Sequence, residues 1–317
     1  MVGVHTCSMP ENGNTRLADL ACLAVVTTWG LNFVIMKRSL ERFDVPVFNL
    51  VRFSLMMVFG LLLLLWNHRT RGHAWLPDAA DRGRIALAGG VGFFGYLYGF
   101  SVALHRTTAF SASLLMTMSP LFVAVLLWAT RSEPLYRRHV VALGCAVIGG
   151  ALFVVGRSAG NVAFRSGDWF ALAAAFLYAA YLVINRPLTT KYPATSLTIW
   201  SMSVAYVVVL AVTLPFIGRQ DWSIVDSAAW ASMLWAATAP VFVAWTVWAW
   251  ANSKVGVARP SLFMVLVPVI SGAVAWWYLD ERVRPLQIVG LLLVVSGLLV
   301  ARKRRENEGS AASACLN

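Results

Sequence analysis

Charge is scarce in these 317 residues: 13% are Asp, Glu, Lys or Arg, about half the share of an ordinary soluble domain. Acid is scarcer still, with 14 carboxylates against 26 Lys and Arg. The four cysteines, Cys7, Cys22, Cys145 and Cys315, show no CxxC pair and no metal-ligand spacing. They support neither a disulfide framework nor a zinc site; inside apolar segments, cysteines act as small apolar residues. The five histidines, His5, His68, His73, His105 and His139, are scattered through tails and connections. They pair with no carboxylate in a way that would build a membrane enzyme's reactive centre. A repeated charged ring or carbonyl filter, the mark of a channel, is likewise missing. The chain calls for no catalytic group, metal or cofactor.

Apolar residues are abundant instead. They make up 59% of the chain, and the mean hydropathy is +0.69. Much of this surface must face lipid rather than a core. Fourteen Trp suit a protein with two membrane interfaces, where amphipathic rings settle. The net charge of +12 raises nucleic acid as a partner, but its distribution excludes that reading. Lys and Arg sit in short connections and in the tail Arg302, Lys303, Arg304, Arg305, a pattern that sets membrane topology or touches anionic lipid.

A hydrocarbon core of about 30 Å takes roughly 20 helical residues to cross. Ten segments of that kind are predicted: Leu17–Met36, Val45–Trp66, Gly83–Leu104, Thr108–Thr130 and Val140–Gly156, then Asp168–Ile184, Ser196–Ile217, Ser227–Ala251, Gly256–Leu279 and Leu286–Ala301. Open strands would leave backbone groups unsatisfied in lipid, so all are read as helices. The first is long enough to span and is not read as a cleavable signal. Residues 103–152 recur at 251–300 with a constant offset of 148: Ser113 pairs with Ser261, Met116 with Met264, Pro120 with Pro268, Trp128 with Trp276, Glu133 with Glu281, Gly149 with Gly297. Five spans per half is odd, so the second copy must enter the bilayer from the opposite side. The expected fold is an all-α integral membrane protein of ten transmembrane helices in two inverted five-helix repeats, 17–156 and 168–301. Residues 302–317 are read as a basic cytoplasmic tail.

Orientation follows from the basic residues. With the N-terminus inside, 16 of the 26 fall in cytoplasmic segments and nine outside, while Arg52 lies within a span. The bias places both termini in the cytoplasm. Arg52 reads either as a snorkelling or helix-end residue or as a substrate contact.

Polar and aromatic residues recur on single helix faces. The first span carries Trp29, Asn32 and Met36; the sixth Tyr178, Tyr181 and Asn185; the eighth Trp245, Trp248 and Asn252. The duplicated fourth and ninth carry Ser113, Met116, Pro120 and Ser261, Met264, Pro268. Asn and Ser in hydrocarbon need partners, so these faces turn inward, either for packing or toward a shared cavity suited to a small amphipathic metabolite. Pro120 and Pro268 would loosen their helices as hinges or breaks. Gly90-Val91-Gly92-Phe93-Phe94-Gly95 formally matches GxGxxG, but no strand precedes it. Gly92, Gly95 and Gly99 share a face and read as a site of close helix approach. Asp19, Glu133, Asp168, Asp280 and Glu281 lie around span ends, and the two glutamates read as caps. His105 reads as an interfacial loop histidine.

The chain resembles the EamA-type transporters of the drug/metabolite transporter superfamily. The resemblance covers residues 17–301. It rests on TTWGLNFVIMKR at Thr27–Arg38, VRFSL at Val51–Leu55, SASLLMTMSPLFVAVLLW at Ser111–Trp128, and RPSLFMVLVPVISGAVAWWYLDE at Arg259–Glu281. It implies a bacterial inner-membrane exporter of amino acids or other metabolites, working by alternating access. The implied cavity draws on the first, third, fourth, sixth, eighth and ninth spans. Tyr98 is the third span's expected contribution, with Tyr96 as the alternative. The expected partners are a small-molecule substrate and the bilayer, with monomer and homodimer both open.

The orientation has a direct check. Single cysteines placed in the Thr190–Ala194 connection should resist an impermeant thiol reagent in intact cells, whereas cysteines in Gly160–Gly167 should react. Labelling of Gly160–Gly167 only after permeabilisation would reverse the topology.

Overall fold

A computed structural model describes residues 12–157, 165–255, 260 and 263–302. Among the described residues no strand forms. In chain order the main helices are α1 (Asn12–Ser39), α2 (Val45–Arg71), α3 (Ala79–Arg106), α4 (Ala109–Ala129) and α5 (Arg137–Arg157). The second half contributes α6 (Ser166–Asn185), α7 (Ala194–Thr213), α8 (Ser227–Val255), α9 (Leu266–Tyr278) and α10 (Pro285–Arg302). The first eight are long and apolar enough to cross a membrane, and two shorter apolar helices follow at Leu266–Tyr278 and Pro285–Val300. Leu62, Val147, Ile148 and Leu292 are exposed on the outside of the bundle, a band that belongs against acyl chains rather than water.

Several helices outrun their apolar stretches. Hydropathy stops α2 at Trp66, yet hydrogen bonding continues through His68, Arg69 and Arg71 until Gly72 ends it in the left-handed region at φ 65°. The fourth segment, expected as continuous, is interrupted: helix runs Ala109–Met116, turns at Thr117 and Met118, and resumes at Ser119–Ala129 with Pro120 in its first turn. Pro268 likewise lies in the first turn of α9. In these positions proline forgoes an amide that a helix start leaves unpaired anyway. Two helices contain π turns, at Ala88–Phe93 in α3 and at Ala239–Val243 in α8. The ninth segment, Gly256–Leu279, lies partly outside the described residues.

Packing repeats the sequence offset. The α3–α6 contact has its counterpart in α8–α1, α1–α9 in α6–α4, and α3–α7 in α8–α2; α2–α7, α4–α9 and α5–α10 join equivalent helices. The α5–α10 pair shows the operation. A Cβ on Gly149 would sit 2.7 Å from the Gly290 carbonyl, and one on Gly297 would sit 3.0 Å from the Ala142 carbonyl. Residue numbers rise on one helix as they fall on the other, so equivalent helices run antiparallel. Moreover the pairs 149–290 and 142–297 exchange under the offset of 148. The axis relating the halves therefore lies across the helices. In a membrane protein that is the plane of the bilayer.

The glycine face of α3 also serves close approach. A Cβ on Gly92 would come within 2.7 Å of the Tyr181 Cβ, one on Gly95 within 2.7 Å of Leu177, and one on Gly99 within 3.6 Å of Ala174. These contacts hold α3 against α6 at backbone distance.

The α5–α10 seam makes a stability prediction. Gly149→Val should lower the melting temperature of the detergent-solubilised protein, at an overpacking cost of about 1–3 kcal/mol. Gly144→Val, where a Cβ meets nothing within 4 Å, should leave melting unchanged.

Candidate functional site

A cavity of about 190 Å³ lies between the two halves. Its wall includes residues related by the offset of 148: Phe93 and Val241, Leu97 and Trp245, Met116 and Met264, Ser119 and Val267. It therefore lies on the axis that relates the halves. A wider crevice of about 350 Å³ between α2, α7 and the α2–α3 connection is lined by Leu61, Trp75, Leu76 and Trp200. That crevice is peripheral and involves no equivalent pair.

Of the residues expected from the sequence, Trp29, Asn32, Ser113, Met116, Pro120, Tyr178, Trp245 and Met264 line the cavity. Three others are placed elsewhere. Tyr98 packs against Phe94 with ring centroids 5.3 Å apart, while Tyr96 lines the cavity and meets Tyr178 at 4.7 Å. Two residues along a helix is about 200° around it, so both tyrosines could not face the same way. Tyr181 is buried against Phe93 at 5.4 Å, where the close approach of Gly92 covers it. Trp248 stands behind the wall, its ring 5.2 Å from that of Trp29. Ser261 lies outside the described residues. Pro268 is buried in α9 next to the lining residue Val267.

The unbroken apolar pattern gave no sign of Pro240 and the π turn around it. Proline cannot donate the hydrogen bond that would reach the carbonyl of Ala236, four residues earlier. Arg52 Nε donates to that carbonyl at 3.3 Å. The π turn widens the helix, and the Trp29 indole donates to the Pro240 carbonyl at 3.0 Å. Arg52, Tyr96, Thr117, Thr198 and the Pro240 carbonyl add to the polar part of the wall. Arg52 is 2% exposed.

One end of the bundle is tied by polar contacts among equivalent elements. Lys37 Nζ donates to the carbonyls of Leu104 (3.1 Å) and Thr107 (2.5 Å) at the end of α3. Thr107 Oγ1 donates to Asp168 at 2.6 Å. Glu281 accepts from the backbone amides of Ala109 (2.8 Å) and Phe110 (3.3 Å), capping α4 rather than its own helix. At the other end, Asn185 occupies the place equivalent to Lys37, and neither polar atom of its buried carboxamide has a partner. Glu133, equivalent to Glu281, pairs with Arg186 at 2.5 Å. His105 is exposed at the end of α3, on the side tied by Lys37. At this second end Lys191 lies between Asp78 (2.7 Å) and Asp81 (2.6 Å). Its hydrogen bond holds the Asp78 carboxyl below the ordinary carboxylate range, and the two carboxylates raise the ammonium in turn.

An axial cavity between inverted helical halves defines a membrane carrier. The sequence profile of the EamA-like transporter family matches residues 16–155 and again 165–302, and the chain belongs to that family. It is a multi-pass membrane protein with a small-molecule substrate. A relative from Streptantibioticus cattleyicolor, named a probable terminal-alkyne amino-acid exporter, is 25% identical over 90% of this chain and 93% of its own. One from Escherichia coli, named a probable amino-acid metabolite efflux pump, is 24% identical over 90% of this chain and 95% of its own. A solved crystal structure matches with a TM-score of 0.60 at 19% identity, covering 93% of this chain and 99% of that one, which shows a shared fold.

The wall makes a graded prediction. Trp29→Ala and Tyr178→Ala should each weaken transport several-fold, from loss of ring contacts worth about 0.5–1.5 kcal/mol. Tyr98→Ala should transport normally, because its ring lies outside the cavity. Initial rates in proteoliposomes decide this, and normal rates in the first two variants would make the stripes packing faces.

Proposed function

We propose that this chain is an inner-membrane exporter of amino acids or related small metabolites, crossing the bilayer ten times with both termini in the cytoplasm. Alternating access through the axial cavity is the mechanism. The observation that carries this reading is the set of equivalent residue pairs in the cavity wall: a binding site on a two-fold axis is presented alike to either side when the halves rock. The unequal ends support it. Lys37 ties one end while Asn185 waits unpartnered at the other, as expected of one of two exchangeable states. The named activities of the S. cattleyicolor and E. coli relatives support an amino-acid or metabolite substrate.

Coupling follows from the acids. Proton-coupled carriers place a titratable group where both access states reach it. Here Glu281 is engaged in capping α4, Glu133 is paired with Arg186, and no carboxylate is among the residues lining the cavity. Transport is therefore read as movement down the substrate's own gradient. Counterflow in proteoliposomes against labelled amino acids should give saturable exchange. With equal substrate on both sides, a pH gradient should drive no net accumulation. Absence of exchange would refute amino-acid transport. Uphill movement abolished by an uncoupler would refute uncoupled transport and make Glu133, Glu281 and His105 the first residues to neutralise.

A further inference from the structure

Among the described residues, the axial cavity holds a cation with no carboxylate in the wall beside it. Arg52 is 2% exposed and forms part of the wall, and among the residues lining the cavity it alone carries a formal charge. Its Nε is used on the Ala236 carbonyl. Its Nη1 is buried and bonded to nothing. Tyr96, which shares the wall with it, is a neutral phenol at physiological pH. Satisfying one backbone carbonyl does not require a guanidinium, which carries five N–H donors and a charge that is never shed. Burying such a charge without an anion is costly. The cost is relieved if the anion is the ligand.

A second orphan sits in the same wall. Asn32 is 7% exposed, and its Oδ1, an acceptor, has no partner. The cavity thus offers an unused cationic donor and an unused acceptor, surrounded by the rings of Trp29, Tyr96, Phe100 and Tyr178. From these we infer that Arg52 binds the α-carboxylate of an amino-acid substrate, with Asn32 accepting from its ammonium group and the rings enclosing its side chain. The guanidinium fork matches a planar carboxylate. This inference rests on the transport reading and adds to it the group that selects an acid. The dual placement also explains why a charge can stay on this helix: Nε anchors the side chain to α8, leaving Nη1 to the ligand.

The test compares acids with their carboxamides, which keep shape and ammonium but lose the negative charge. L-leucine, L-methionine and L-phenylalanine, each alongside its amide, are offered as counterflow substrates to purified wild type, Arg52→Lys and Arg52→Gln in proteoliposomes. Melting and monodispersity in detergent check that each variant is folded. Wild type should prefer at least one acid over its amide by about tenfold or more, the scale of a hydrogen bond to a charged group. Arg52→Gln should lose that acid by about 10- to 100-fold and with it the preference for acid over amide. Arg52→Lys should fall between, because it keeps the charge without the fork. Should Arg52→Gln fail to fold, the wild-type ratio and Arg52→Lys decide the matter. Exchange of acids and amides alike by wild type, or a folded variant that keeps the wild-type ratio, would overturn the assignment and leave the transport reading standing. Exchange of neither acids nor amides by wild type would instead defeat amino-acid transport itself.

Discussion

A helix surrounded by lipid must find protein donors for every backbone carbonyl that its own hydrogen bonding releases. The centre of this molecule is organised by that demand. Pro240 withholds one donor from Ala236, and Arg52 supplies another from α2. The π turn that contains it opens the Pro240 carbonyl, and Trp29 supplies a donor from α1. One irregular turn in α8 thus draws a charged and an aromatic side chain from two other helices into a single wall. These two hydrogen bonds give both residues a structural reason to reach the wall. π turns recur at functional sites because they present backbone at a place where it would otherwise be hidden. The second π turn, at Ala88–Phe93, stands in the equivalent helix α3.

Glycine and symmetry fix where those helices lie. At Gly149 and Gly290 the backbones of α5 and α10 approach so closely that no side chain fits between them. Gly92 brings α3 onto the backbone of Tyr181 in the same manner. Because the halves are related by a two-fold axis, a contact made once is made twice, so a small set of close approaches positions the whole bundle. Ends differ even so. Lys37 caps α3 while Asn185, its equivalent, is idle. Chemically unlike residues at equivalent positions hold the two ends of the bundle differently.

The site was legible in the sequence where periodicity could speak. Stripes at i, i+3 and i+7 brought Trp29 and Asn32, Ser113 and Met116, and Met264 to one cavity. For the third span the resemblance offered Tyr98 with Tyr96 as the alternative, and Tyr96 is the one in the wall; two tyrosines two residues apart differ by more than half a turn, and hydropathy does not distinguish them. The stripes failed at Tyr181, whose ring is covered by a neighbour three spans away. Arg52 was visible as an intramembrane charge. Its environment was not, since the Ala236 carbonyl that anchors it lies 184 residues along the chain.

From the sequence alone came the class of molecule: apolar segments of spanning length, an odd number per half, and an offset of 148 that demanded inversion. Those are properties of composition and period, and they survive any arrangement of side chains. Which faces meet, where α4 breaks, which carbonyls are released and which donor reaches them are decided by packing. Each depends on groups distant in the chain arriving within about 3 Å of one another, a distance on which hydrogen bonding depends. The repeat announced a shared cavity; only the folded bundle put a buried guanidinium in its wall.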